Sequence, residues 1–283
     1  MKYHIEKNSI EETLVIPLYG RKVCSEKFPD LFKDTEAARI CGMLDYDFET
    51  NGKKMESTAG MFGALEVAQR QYDLMHEVKA YLGQHPKAAV VNLGCGLDNT
   101  FRQVDNGECR GYNIDMADVI AVRDKILPAG EREENIASDI NDHSWMERID
   151  AENGAVFFAA GVFYYLKTED MKKLFAAMAE NFPGGVLVFD CCGIRGAKLM
   201  RKTWLKEAGI TDVNAYFSLE GDIDLLNMVG RGTKVTSKSY MSGYRDIREK
   251  VGFVHRILIG LSDSVFKMRI YRTVFPRRKK GIY

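Results

Sequence analysis

A short apolar run that ends in two closely spaced glycines constrains this chain more than any other feature of its sequence. Residues 89–98 read AVVNLGCGLD, so a predicted buried strand breaks directly into Gly94 and Gly96. Because neither glycine carries a Cβ atom, the backbone can turn tightly there and approach a bound molecule closely. The pattern predicts a strand, a turn and a ligand at that turn.

The residues around this turn favour an adenosyl ligand without phosphates. The dinucleotide fingerprint needs a third glycine where this chain has Asn99, so a pyrophosphate-binding turn is disfavoured. Two further predicted strands end in acids, Asp115 and Asp139, and a carboxylate at a strand end can accept both hydrogens of a ribose diol. S-adenosylmethionine is therefore the leading candidate. The alternative at this point is an ordinary strand-to-helix turn that binds nothing.

Charge and hydropathy exclude several classes of protein. The 283 residues include 40 Lys and Arg and 40 Asp and Glu, so the net charge is near zero, whereas nucleic-acid binders usually carry a strongly basic patch. No apolar run approaches the roughly 20 residues that span a bilayer, and the first residues lack the apolar core of a signal peptide. The sequence predicts a cytoplasmic protein with no nucleic-acid or membrane partner.

The six cysteines are scattered and show no spacing typical of a zinc site. We therefore predict reduced thiols and no metal. No serine stands in the context of a hydrolase nucleophile.

From residue 89 onward, predicted strands and helices alternate, which indicates βαβ units and a doubly wound, mainly parallel sheet. A helix over residues 60–82 leads into the first of these strands. Residues 1–60 are predicted to form a helical cap over the sheet edge, and residues 61–283 the ligand-binding domain. Residues 195–250 exceed what one crossover needs, so they are predicted to form an insertion on the substrate side.

Some local patterns give sharper expectations. Pro17 is expected to interrupt or kink the first helix. Helices are predicted over residues 195–208 and 243–251, with an unpatterned segment between them that contains Asp222 and Asp224. Residues 253–261 and 268–274 are predicted to be two strands of a terminal antiparallel hairpin.

The order of these motifs resembles the leucine carboxyl methyltransferase family, especially the branch of the tetracenomycin polyketide-synthesis O-methyltransferases. The motifs that carry the resemblance are residues 12–21, 45–48, 91–98, 114–115, 138–139, 161–165, 182–185 and 189–190. The resemblance covers roughly residues 10 to 200. It implies a seven-stranded, Rossmann-like methyltransferase fold, S-adenosylmethionine as the cofactor, and methyl transfer to an oxygen of a small molecule.

The resemblance also implies roles for individual residues. Arg70 matches the arginine that binds the methionyl carboxylate, for which a guanidinium fork is well suited. The remaining cofactor-binding positions that it implies are Gly94, Gly96, Asp98, Asp115, Met116, Asp139, Ile140 and Ala160. Tyr165, Arg21 and Tyr19 are the candidates to contact the methyl acceptor, with Arg21 holding an anionic acceptor. A salt bridge from the cap to the sheet is the alternative role for Arg21.

One position departs from the family pattern. Leucine-methylating members carry an acid where this chain has Ala160, so the methionyl ammonium loses a charged partner and is expected to rely on backbone carbonyls. The acceptor is therefore predicted to be a small carboxylate or acidic hydroxyl rather than a protein C-terminus. The rival functions are a cofactor-binding protein without catalysis and a nicotinamide-dependent oxidoreductase. The sequence leaves open whether the chain is a monomer or a dimer.

Overall fold

The structure is a computed structural model, and it describes residues 2–5, 10–48, 55–202 and 217–277. The strands in these ranges are β1 (Tyr3–His4), β2 (Leu44–Asp45), β3 (Ala89–Leu93), β4 (Arg110–Asp115), β5 (Glu133–Ala137), β6 (Ala155–Ala159), β7 (Val186–Cys191), β8 (Lys234–Ser239) and β9 (Arg269–Val274). The α-helices are α1 (Ile10–Lys27), α2 (Thr35–Met43), α3 (Thr58–Leu82), α4 (Thr100–Val104), α5 (Ala117–Ile126), α6 (Thr168–Asn181), α7 (Ile194–Lys202), α8 (Asp222–Met228) and α9 (Phe253–Ser264). Short 3-10 helices cover His143–Arg148, Phe163–Tyr165 and Arg248–Lys250.

Seven of these strands form one sheet in the order β5-β4-β3-β6-β7-β9-β8. The strands from β3 to β7 run parallel, whereas β9 pairs antiparallel with both β7 and β8. The chain passes from β3 to β4 and β5 on one side and then returns to β6 and β7 on the other. Ligands of such sheets bind beyond the carboxyl ends of the strands where the order reverses, which here is at β3 and β6. The predicted doubly wound, mainly parallel seven-stranded sheet is confirmed.

Helices cover both faces of the sheet because its central strands are apolar on both sides. Every residue of β3, β6 and β7 is buried. Leu93 and Phe157 belong to one hydrophobic core. Val90 and Phe158 point to the opposite face and pack in a second core, which includes Val78 of α3.

The long helix α3 leads into β3, as predicted. Ser57 caps its first turn by accepting a hydrogen bond from the backbone N–H of Gly60 at 3.0 Å. Ala68, Leu74 and Val78 are buried. Packing of this apolar face fixes the helix beside β6 and β7, which positions its polar residues near the carboxyl ends of those strands.

The N-terminal residues form helices α1 and α2, which pack against each other and, through α1, along α3. The carboxylate of Asp34 caps α2 by accepting from the N–H of Ala37 at 2.9 Å. Of the interruption or kink expected at Pro17, the interruption is wrong, because α1 continues through it, and the kink stays a prediction. Val15 and Leu18 on either side are buried against α2, and this packing outweighs the backbone hydrogen bond that proline cannot make. The domain boundary near residue 60 stays a prediction.

The predicted terminal hairpin is wrong. Residues 253–264 form helix α9, and the antiparallel partners of β9 are β7 and β8, which both lie earlier in the chain. The apolar residues of α9 satisfy a helical spacing as well as a strand pattern, and Ile259 and Ser262, three residues apart, are its buried positions.

Two further local predictions need correction. Only the 3-10 turn Arg248–Lys250 lies within the helix predicted over 243–251, and the segment with Asp222 and Asp224 is ordered as α8 followed by β8. The helix predicted over 195–208 is present as α7 up to Lys202, and its remainder lies outside the described residues. The insertion before the last two strands is therefore shorter than residues 195–250. None of the described helices has the length and apolar character needed to cross a membrane.

Candidate active site

The turn after β3 has the backbone geometry that glycine permits. Gly94 and Gly96 have φ angles of +67° and +45°, which side-chain-bearing residues rarely adopt. A Cβ atom on Gly94 would lie 2.8 Å from Cγ1 of Val162 and closer still to Cγ2. The N–H groups of Gly94 and Cys95 donate to the carbonyl of Ile114 at 2.8 and 3.0 Å. The turn is therefore tied to β4 and packed closely under the residues that follow β6.

Asp115, the last residue of β4, faces this turn. Its Oδ2 accepts from the N–H of Gly96 at 2.8 Å, and its Oδ1 accepts from the N–H of Met116 at 2.8 Å. Burial raises the pKa of the carboxyl, and the two N–H groups act in the opposite direction. The bonds fix the carboxylate beside the glycine turn, which is where a ribose diol would need it.

The residues after β4 and β5 offer an apolar surface next to that acid. Met116 is 48% exposed although it is apolar, and Ile140 lies at the edge of the core. Asp139 is exposed, and its Oδ1 accepts from the N–H of Asn141 at 2.8 Å. The indole N–H of Trp145 donates to the carbonyl of Ile140 at 3.2 Å, which holds this loop. The adenine position expected at Met116, Asp139 and Ile140 stays a prediction.

At the carboxyl ends of β6 and β7, hydrogen bonds connect three residues. Nη1 of Arg70 donates to Oδ2 of Asp190 at 3.2 Å, while the N–H of Gly161 donates to Oδ1 of Asp190 at 2.6 Å. Gly161 has a φ angle of +74°, and a Cβ atom there would lie 2.5 Å from Nη1 of Arg70. The Asp190 side chain is 1% exposed and that of Arg70 is 13% exposed. The Arg70 side chain is thus fixed by the buried carboxylate and keeps a small part of its surface open.

The three predicted parts of a cofactor site therefore lie along one edge of the sheet: a glycine turn, an acid at a strand end, and a buried arginine. The leucine carboxyl methyltransferase family model matches residues 21–179, more than half of the chain. The chain belongs to the leucine carboxyl methyltransferase family. It is an S-adenosylmethionine-dependent methyltransferase, and the nicotinamide oxidoreductase alternative is discarded.

One curated relative and two solved structures illustrate the similarity. The tetracenomycin polyketide synthesis O-methyltransferase TcmP of Streptomyces glaucescens is 25% identical over 190 residues, which cover 66% of this chain and 67% of that protein. A DUF574 family protein from Streptomyces avermitilis has a TM-score of 0.60 and 11% identity, and the match covers 93% of this chain and 97% of that one. The plantazolicin methyltransferase BamL has a TM-score of 0.52 and 12% identity, with 95% and 100% of the two chains covered. The two structures show the fold alone.

The glycine turn of the methyltransferase is held by two buried arginines. Nη1 of Arg123 donates to the carbonyls of Gly96 and Asp98 at 2.8 and 2.7 Å. Nη1 of Arg21 donates to Oδ2 of Asp98 at 3.3 Å, and its Nε donates to Oδ2 of Asp34 at 3.0 Å. The arginines connect the loop to α5 and to the N-terminal helices.

These contacts change the interpretation of Arg21 and Asp98. The Arg21 side chain is 7% exposed, and an anionic acceptor would have to compete with two carboxylates for it. Its Nη2 is buried and makes no hydrogen bond within the described ranges. Asp98 Oδ1 accepts from the N–H of Thr100 at 2.6 Å, so both of its oxygens serve the loop. The geometry matches the alternative salt bridge from cap to sheet.

The aromatic residues predicted to contact the acceptor lie in two places. Tyr165, at the end of the 3-10 turn after β6, is 47% exposed, whereas Tyr164 is buried and its hydroxyl has no hydrogen-bond partner among the described residues. Tyr19 lies in α1, where its ring packs 5.0 Å from that of Phe48 and its hydroxyl donates to the Phe48 carbonyl at 3.4 Å. Tyr164 and Tyr165 thus follow β6, whereas Tyr19 packs against Phe48, and a role in contacting the acceptor stays a prediction for Tyr165 and Tyr19.

Sequence reasoning missed the roles of Arg123 and Asp190. Arg123 lies on the buried face of α5, where an apolar residue would be expected, and it is 1% exposed. Asp190 is the next-to-last residue of a strand whose residues are all buried, a signal similar to the one that identified Asp115 at the end of β4. A charged residue in an otherwise buried pattern was the available sign in both cases.

Proposed function

We propose that this methyltransferase transfers the methyl group of S-adenosylmethionine to an oxygen of a small, partly apolar molecule. The observation that carries the proposal is the buried arrangement of Arg70, Asp190 and Gly161 beside the Gly94 turn. It holds a partly exposed arginine side chain, which would bind the amino-acid end of the cofactor.

The residues present fit the cofactor. Gly94 and Gly96 allow its close approach, Asp115 would bind the ribose hydroxyls, and Arg70 would bind the methionyl carboxylate. The adenine would lie against Met116 and Ile140, with Asp139 at its polar edge. Asp98, Arg123 and Arg21 would act indirectly by holding the loop that makes these contacts.

The bound cofactor supplies a methyl group that its sulfonium already makes electrophilic. The task of the chain is then to align the acceptor oxygen and exclude water. Tyr165 would line the acceptor space, and the buried hydroxyl of Tyr164 would be available to donate to an acceptor oxygen. A carboxylate acceptor is already ionised at neutral pH and needs no base, whereas a hydroxyl acceptor benefits from one.

Support for an oxygen acceptor comes from the similarity to TcmP, an O-methyltransferase of polyketide synthesis. The alanine at position 160 separates this chain from leucine-methylating members, which favours a small molecule over a protein C-terminus.

The test is a screen for S-adenosylhomocysteine release with small carboxylic acids, phenols and a C-terminal leucine peptide. We expect turnover with at least one small oxygen nucleophile and none with the peptide. Tyr165→Phe and Tyr164→Phe are expected to lower turnover, while Tyr3→Phe in β1 serves as the matched control. Turnover on the peptide alone, or methylation only of amines or thiols, would overturn the proposal.

A further inference from the structure

We propose that Glu66 binds the ammonium group of the cofactor's methionyl part and so replaces the acid that the chain lacks at Ala160. The inference rests on the proposed placement of the methionyl carboxylate at Arg70. It assigns a new cofactor-binding residue to the site.

Glu66 lies one helical turn from Arg70. Residues four apart on a helix share a face, with about 5–6 Å between their Cβ atoms. In the methionyl group, the carboxylate and the ammonium are attached to the same carbon atom. The residues that bind the two groups must therefore lie close together in space, and the spacing of Glu66 and Arg70 on one helix face meets this condition.

Of the three carboxyl groups of Glu66, Asp190 and Asp263, that of Glu66 accepts the fewest hydrogen bonds from the described residues. Asp190 uses one oxygen for the N–H of Gly161 and the other for Arg70. Asp263 accepts from the N–H of Met241 at 2.9 Å and from Oγ of Ser242 at 2.6 Å. Glu66 accepts a single side-chain hydrogen bond within the described ranges, from Oγ of Ser262 to Oε1 at 3.3 Å.

The position of Glu66 is fixed from two directions. Its backbone carbonyl accepts from the hydroxyl of Tyr240 at 3.0 Å, and Ser262 approaches its carboxyl from α9. The helix turn that carries Glu66 is therefore attached both to the segment after β8 and to α9. A carboxylate held in this way can bind a cation without a large rearrangement.

The charged groups around Glu66 favour the binding of a further cation. The charged groups that act on it are Arg70, Asp190 and Asp263, and the guanidinium is already paired with Asp190. Tyr240 and Cys192 are also close enough to be influenced by Glu66, and burial keeps both in their neutral forms. Asp263 is also influenced by Arg248 and Arg269. Among the described residues, the cation that acts on Glu66 is Arg70, which is already paired with Asp190. A ligand ammonium would give the Glu66 carboxylate a cation of its own.

Burial raises the pKa of Glu66 to about 7, and the negative charges of Asp190 and Asp263 add to the shift, while Ser262 and Arg70 oppose it. An ammonium beside the carboxylate would favour its ionised form and lower this pKa. Binding of the amino acid end at pH 7 should therefore release protons from Glu66.

The experiment compares two ligands by calorimetry: S-adenosylhomocysteine and its analogue that lacks the α-amino group, 5′-S-(3-carboxypropyl)-5′-thioadenosine. We expect Glu66→Gln to weaken S-adenosylhomocysteine binding by about 10- to 100-fold and to leave the affinity for the analogue nearly unchanged. Glu66→Asp should keep part of the preference for the amino ligand. Glu56→Gln, at an exposed position before α3, is the matched control and should bind both ligands like the unmodified protein.

The same titrations in buffers of different ionisation enthalpy should show proton release at pH 7 with S-adenosylhomocysteine, and less with Glu66→Gln. Equal affinity of the unmodified protein and Glu66→Gln for S-adenosylhomocysteine would overturn the assignment. Equal weakening of both ligands would also overturn it, as would lost turnover at unchanged affinity, which would place Glu66 at the acceptor. A preference of the unmodified protein for the analogue would overturn the assignment of the ammonium to Glu66, since the analogue keeps the carboxylate and lacks only the amino group. If the unmodified protein binds neither ligand, the proposed cofactor site at Arg70 fails instead.

Discussion

The backbone N–H of Gly161 donates to the buried carboxylate of Asp190 at 2.6 Å. Because the other oxygen of the same carboxylate accepts from Arg70, one side chain positions both the loop after β6 and the guanidinium that the cofactor would contact. A change at Asp190 should therefore affect folding and cofactor binding together.

Asp190→Asn should leave Arg70 buried without its counter-charge. Removing one partner of a buried ion pair costs about 3–5 kcal/mol of unfolding free energy, and the misplaced guanidinium should weaken S-adenosylhomocysteine binding. Urea denaturation and calorimetry measure the two effects. The control is Asp118→Asn on the exposed side of α5. Unchanged stability and affinity in Asp190→Asn would show that the pair does not organise the site.

Gly94→Ala should lower the stability of the fold by more than its positive φ angle alone explains. Its Cβ atom would collide with Val162, whereas a Cβ atom on Gly107, at a φ angle of +85°, meets nothing within 4 Å. Backbone strain of about 1–3 kcal/mol is expected from alanine at either position. Gly107→Ala therefore measures the backbone strain alone, and the additional loss of stability in Gly94→Ala measures the collision with Val162. Thermal denaturation of both variants and of Gly94→Ala with Val162→Ala tests this. Equal destabilisation by the two single substitutions would contradict the close packing at Gly94.

Asp115→Ala should weaken cofactor binding by about 1–3 kcal/mol, because ribose hydroxyls and two backbone N–H groups lose their acceptor. Asp115→Asn keeps one acceptor oxygen and should be intermediate. Calorimetry with S-adenosylhomocysteine gives the comparison. Full affinity in a folded Asp115→Ala sample would remove Asp115 from the ribose site.

Asp73 should make stability fall as the pH rises. Burial raises its pKa to about 8 in the folded chain, and its Oδ2 has no hydrogen-bond partner among the described residues. An acid with a raised folded pKa binds more protons when folded, so its contribution is fully present below the pKa of the unfolded chain, near 4, and is lost as the pH rises through about 8. The unfolding free energy of the unmodified protein should thus fall relative to that of Asp73→Asn between pH 5 and 8, because asparagine does not ionise. A constant difference over that range would contradict the assignment.

Much of the fold could be predicted because the local composition of β3, β4, β6 and β7, and the turns that follow them, indicate strands. Strand β8 could not, because it is an edge strand whose residues alternate between exposed and half-buried and give no apolar run. Helix α9 was misassigned for the opposite reason. Phe253 and Ile257 are 75% and 48% exposed, so its apolar residues do not mark a single buried face.

The residues of the candidate site also differ in how far the sequence alone could identify them. Gly94 could be found because it directly follows strand β3, and Asp115 because it is the last residue of strand β4. The contacts of Arg123 with the glycine turn and of Asp190 with Arg70 join residues about 25 and 120 positions apart, and no local pattern encodes them. The acceptor role predicted for Arg21 suffers from the same limit, since its partner Asp98 lies 77 residues away.

The most direct test of the account is a calorimetric comparison of S-adenosylhomocysteine with 5′-methylthioadenosine, which lacks the amino-acid end, on the unmodified protein and on Arg70→Gln. We predict that the unmodified protein prefers S-adenosylhomocysteine by about 100-fold, as expected for charge-assisted bonds, and that Arg70→Gln loses most of this preference without losing 5′-methylthioadenosine binding. Equal affinity of the unmodified protein for the two ligands, or an undiminished preference in Arg70→Gln, would contradict the placement of the methionyl group beside Arg70.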